Sequence, residues 1–191
     1  MKNVLWGLSL ALVANAAVAA DVDGNFAIDG IGGKTCADFS AVLAEDNTQL
    51  INAYISWMSG FVSSYNMSAA ETYDVTPWQT TELQLLKLGA FCEKNPEAPY
   101  YVAVNGLVKH LDAGKLAKAE DLVSIKHGET TVLIYTGILE RVRATLMNEG
   151  KTVPETGFDG TFAEALQAYQ TEHELEATGI PDLATLNAMF P

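Results

Sequence analysis

The chain is short of basic residues: 11 Lys and Arg stand against 24 Asp and Glu, for a formal charge of −13. Nucleic-acid affinity comes largely from Lys and Arg neutralising phosphates, so no nucleic-acid partner is expected. Docking on anionic lipid is disfavoured for the same reason. The acidity fits a solvated, charged surface. Cysteine and histidine are also scarce, with two Cys and three scattered His that show no ligand spacing, so neither a metal nor a cofactor is expected. Long apolar runs are limited to Val4–Ala14, too short to span a bilayer comfortably. Catalytic signatures are missing too: there is no Gly-x-Ser-x-Gly, no phosphate-binding loop and no His-Glu-x-x-His. The His–carboxylate neighbours include His110-x-Asp112 and His173-Glu174, and an i, i+2 pair does not share a helix face. A protein without catalytic residues follows as the expectation.

The N-terminus carries positive information. Lys2 precedes the apolar run, small residues occupy Ala16–Ala20, and acidic Asp21 follows. These are the three regions of a secretory signal peptide over residues 1–20, with cleavage acceptable after Ala19 or Ala20. Export to the periplasm is therefore expected, with no stable membrane insertion after cleavage. In that oxidising compartment an even cysteine count predicts a Cys36–Cys92 disulfide, worth about 4 kcal/mol by chain entropy.

Apolar periodicity predicts an all-α chain of two small modules. Residues 21–33 are Gly- and Asp-rich and read as an extended or disordered lead-in. Within 34–112, Ile51, Tyr54, Ile55, Met58, Phe61, Val62 and Tyr65 lie at helical spacing. Thr76-Pro77-Trp78-Gln79 predicts a helix start, with Thr76 as N-cap, running through Leu83, Leu86 and Ala90 to Cys92. A further helix spans about 99–112, with Tyr101, Val104, Leu107, Val108 and Leu111 inward. Residues 113–128 read as a linker with few contacts crossing it. Residues 129–191 predict three helices: about 130–149 with Leu133 inward, 161–173, and 183–190 with Asp182 as N-cap. No β-hairpin signal of weight is read.

Two resemblances attach to these modules. Phe158-Asp159, Ala165-Leu166-x-x-Tyr169-Gln170 and Leu175-x-x-Thr178-Gly179-x-x-Asp182-x-x-Thr185-Leu186 resemble the second half of the small helical peptidoglycan-binding domain. Phe162 stands where that family usually has Thr, so Thr161 or Asp159 must cap the helix. The resemblance implies a three-helix fold and a peptidoglycan partner. It offers Asp159, Tyr169, Gln170 and Asn187 as the polar or aromatic residues for ligand. Thr35-Cys36-x-x-Phe39, a helix containing Trp57, and Cys92-x-x-Asn95-Pro96 resemble the HdeA acid-stress chaperones and the small helical immunity proteins of type VI secretion effectors. That resemblance implies a protein client or effector as partner. In the chaperone case, carboxylates protonate near pH 2–3, repulsion loosens the fold, and a face such as Tyr54, Trp57, Phe61 and Tyr65 opens. The combined expectation is a non-catalytic periplasmic protein that joins a wall-binding module to a protein-binding one. A wall-active enzyme and an immunity protein are the alternatives.

Overall fold

Thr35 opens the first helix with a reciprocal cap. Its hydroxyl accepts from the Asp38 N–H at 3.1 Å, and Asp38 Oδ2 accepts from the Thr35 N–H at 3.0 Å. In the computed structural model, which describes Asp21 and residues 23–191, this helix is α1, Cys36–Ala44. Three more follow: α2 Thr48–Ser68, α3 Thr81–Lys94 and α4 Tyr100–Leu111. Then come strands β1 Leu122–His127 and β2 Thr130–Tyr135, and helices α5 Thr136–Asn148, α6 Gly160–Glu172 and α7 Leu183–Met189. The chain is mostly helical, as expected. The expected signal peptide lies outside the described residues. Among the described residues no helix is long and apolar enough to cross a membrane.

The described residues form two cores. The first gathers α1–α4 around Phe39, Tyr54 and Tyr100, whose ring centroids lie 4.7–4.9 Å apart. Cys36 and Cys92 form the expected disulfide inside it, at 0% and 1% exposure. Main-chain bonds brace the same spot: the Cys36 N–H donates to the Ala98 carbonyl at 2.8 Å, and the Tyr100 N–H to Lys34 at 2.7 Å. The second core joins the hairpin to α5–α7 through Ile125, Ile134, Ile138, Val142, Leu146, Phe162, Leu166 and Ile180.

Four expectations are corrected. The first concerns the hairpin. β1 and β2 pair antiparallel with Leu122 opposite Tyr135 and His127 opposite Thr130, around the Gly128-Glu129 turn. Consequently α5 begins at Thr136, not near residue 130, and Leu133 is 70% exposed on a strand instead of inward on a helix. Apolar residues on both faces (Leu122 and Leu133 outside, Ile125 and Ile134 inside) blur the period-2 pattern that marks a strand.

The second correction concerns the stretch read as a linker. Leu116 is 1% exposed and belongs to the second core, yet its main chain pairs with Asp74 of the first unit. Its N–H donates to the Asp74 carbonyl at 2.8 Å, and the Tyr73 N–H donates back to its carbonyl at 2.7 Å. Trp78 reaches from the first unit onto the second core. Contacts do cross between the units.

The third concerns the start of α3. The N-cap is Thr80, whose hydroxyl accepts from the Leu83 N–H. Thr76 instead donates its N–H to the Asp74 side chain, and the Pro-Trp segment stays in a loop. The register set by Thr80 buries Leu83, Leu88 and Cys92 and leaves Leu86 at 71% exposure.

The fourth is the lead-in, which is folded against α2 and α4. Asp21 accepts from the Asp23 and Asn25 N–H groups, Phe26 meets Tyr101 edge-on at 5.3 Å, and the Trp57 indole donates to the Asp29 carbonyl at 3.0 Å. Gly32 lies flat on that indole: a Cβ there would come within 2.1 Å of the Trp57 ring. Gly32→Ala is expected to lift the lead-in off α2 and cost about 2 kcal/mol, as overpacking does. Urea unfolding with tryptophan emission checks this. An unchanged midpoint and unchanged emission maximum would refute the seating of Trp57.

Candidate functional site

The four residues offered as ligand contacts occupy very different places. Asp159 is exposed and is the N-cap of α6, its Oδ1 accepting from the Phe162 N–H at 3.0 Å. This resolves the choice of cap in favour of Asp159 and lets Phe162 turn fully inward, at 0% exposure. Tyr169 is buried at 1% exposure and stacks on His173 with centroids 4.1 Å apart. Burial, and then the nearby Glu149 charge, push its hydroxyl above the usual phenol range. Asn187 is half-buried on α7, and its Oδ1 is shielded without a hydrogen-bond partner among the described residues.

Gln170 is wholly buried and wholly occupied. Its Nε2 lies 2.9 Å from Thr178 Oγ1, 3.0 Å from the Ile180 carbonyl and 2.8 Å from Thr185 Oγ1. Two hydrogens are shared among three acceptors. Its Oε1 accepts from the Gly179 N–H at 2.9 Å. Thr178 and Thr185 in turn donate to the two oxygens of Asp182, each at 2.7 Å, and Asp182 caps α7 by accepting from the Thr185 N–H. Gly179 completes the turn at φ +70°, in the left-handed region that glycine tolerates. The Thr178-Gly179-x-x-Asp182-x-x-Thr185 run is therefore a closed polar latch between α6 and α7. Gln170 has no atom left for a ligand, and the expectation that it contacts one is corrected.

Residue-pattern reasoning did not single out the two arginines of α5. Arg143 is 5% exposed, pairs with Glu140, donates to the Pro154 and Gly157 carbonyls, and lies 4.9 Å over the Phe162 ring. It ties the α5–α6 loop to the core. Its position between Leu139 and Leu146, four and three residues away, is the signal that could have placed it on the inward face. Arg141 instead faces the junction of the units. Its guanidinium donates to the Gly114 carbonyl at 2.5 Å and to the Lys115 carbonyl at 2.8 Å.

Beside Arg141 lies a groove of about 500 Å³ between the units. Trp78 and Phe190 stand at its walls with ring centroids 6.2 Å apart and planes inclined at 54°. Gln79 and His110 add polar edges. Nearby, Asp112 accepts from the Tyr65 hydroxyl at 2.8 Å and pairs with Lys115 at 2.9 Å. The Lys115 bond, then the Tyr65 bond, hold the Asp112 carboxyl below the usual carboxylate range. Among the described residues no group of three or more His, Cys, Asp or Glu could hold a metal ion.

Residues 140–189 match the family model of a putative peptidoglycan binding domain. The match covers most of α5, all of α6 and all of α7. No curated protein and no solved structure matches the chain. The C-terminal unit is thus a peptidoglycan-binding-like helical domain, and the polar latch is the physical content of its most recognisable motif. Together with the disulfide, it marks a protein of the cell envelope or an exported one. The family match does not extend to residues 34–112.

Proposed function

We propose that this is a non-catalytic periplasmic protein that holds to peptidoglycan through its C-terminal unit and engages a protein through its disulfide-clamped first unit. The observation that carries the reading is the family match over residues 140–189 on a unit whose core and latch are complete. The first unit supports the second half of the reading by an apolar hollow of about 600 Å³ lined by Leu43, Leu85, Leu86 and Ala90, with Leu86 at 71% exposure. The cysteine framework and its likeness to the HdeA chaperones make an unfolding client at acid pH the partner of choice.

The test is co-sedimentation with purified sacculi, using the chain from Asp21 onward, which holds both cores. The protein is expected in the pellet at low salt, and dye-labelled wall in the same tube is expected to release no dye. Protein left wholly in the supernatant would remove the wall from the function. Dye release would establish a wall-active enzyme instead.

A further inference from the structure

The latch leaves the C-terminal unit with few free polar groups of its own along its family motif. Gln170, Thr178, Asp182 and Thr185 satisfy one another. A ligand must find its polar contacts elsewhere, and the junction groove offers them. Arg141 is the cation at that groove. No carboxylate among the described residues pairs with it, although the chain carries 24 Asp and Glu. Two main-chain carbonyls fix its guanidinium, and three of its five N–H groups remain undirected by them. A fixed cation costs little ordering on binding.

The walls complete the chemistry. Trp78 and Phe190 offer apolar ring faces, and the Gln79 amide can exchange hydrogen bonds with an acetamido group. The volume of about 500 Å³ falls within the usual range for a small-molecule site. We propose that this groove binds an N-acetylated amino sugar bearing a short peptide, with the sugar ring against Trp78 and Phe190 and a peptide carboxylate on Arg141. The proposal rests on the wall-binding reading and gives that reading a place. It also makes the first unit part of the site, because Trp78 and Gln79 lie outside the 140–189 match.

The test uses the ¹⁵N-labelled chain from Asp21 onward and soluble N-acetylmuramyl-L-alanyl-D-isoglutamine. The indole N–H signal of Trp78 is expected to move, while that of Trp57, held on the Asp29 carbonyl in the first core, stays. Arg141→Gln is expected to weaken binding about tenfold, as loss of a charge-assisted bond does. Trp78→Ala, which leaves the anchors of Arg141 untouched and is read on the Arg141 backbone amide because its own indole is gone, should weaken it comparably. Tri-N-acetylchitotriose, which has no carboxylate, should bind about tenfold more weakly than the muramyl peptide. Unmoved backbone amide signals across α6 and α7, with an unmoved Trp57 indole, report that each variant is folded in both units.

A still Trp78 signal, or equal affinity in wild type and both folded variants, overturns the proposal. Sacculi sedimentation of the same samples separates the two claims. Equal sedimentation of wild type and variants keeps wall binding and discards the groove. A muramyl-peptide shift in a protein that does not sediment keeps the groove and discards the tether. Failure of both removes both.

Discussion

Gln170→Leu should cost the C-terminal unit about 4 kcal/mol. The side chain is fully buried, and removing its amide strands the Gly179 N–H away from water and takes one donor from the Ile180 carbonyl, which keeps the Asp182 N–H at 2.9 Å. A buried orphan costs about 1–3 kcal/mol and each lost hydrogen bond about 0.5–1.5 kcal/mol more, and leucine replaces none of them. The hydroxyls of Thr178 and Thr185 lose a donor as well. A loss of that size is a large share of the 5–15 kcal/mol typical of a whole domain. Amide exchange across α6 and α7 is the direct readout, because it reports on this unit alone. Protection within 1 kcal/mol of wild type would show that the latch contributes little and that the motif has another purpose.

Removing the disulfide should be comparably severe in the other unit. Cys36 starts α1 and Cys92 lies near the end of α3, 56 residues apart in sequence, with Cα atoms 4.8 Å apart. Releasing that loop in the unfolded chain is worth about 4 kcal/mol on the entropy account. The double variant Cys36→Ala, Cys92→Ala should show it as a lower urea midpoint for the first core. A drop below about 1 kcal/mol would mean that the main-chain bonds from Cys36 to Ala98 and from Tyr100 to Lys34 hold the spot unaided. Intact protein, denatured without reductant, should label with no thiol reagent.

The parts of this fold that were legible in the residue string were those written locally. Asp182 as a cap, Gly179 as a turn residue and Leu186 as an inward residue all follow from short spacing, and all are found so. The cysteine pair was legible because two cysteines have one intramolecular pairing. The hairpin was obscured because Leu122 and Leu133 put apolar residues on its outer face. The start of α3 was misread because two threonines, Thr76 and Thr80, both carry a capping signal four residues apart. Only the tertiary pairing of Asp74 with Leu116 decides between them. The ligand residues were the least legible part. Gln170 looked available because glutamine is polar, and nothing local says that the turn from Thr178 to Thr185 folds back over it. The groove was invisible for a related reason: Trp78, His110, Arg141 and Phe190 are distant in sequence and meet only through the packing of the two units.

Leu116 has a mechanical consequence. Its side chain is seated in one core while its main chain is bridged to the other unit, and Arg141 grips the two carbonyls just ahead of it. Tension drawn between the two ends of the molecule would therefore reach Leu116 before the segment could straighten. The bridge to Asp74 and the guanidinium clamp would have to part together, and the leucine would have to leave its seat in the same event. A chain anchored at one end and loaded at the other would hold its two halves in fixed orientation up to a threshold force, then yield in a single step.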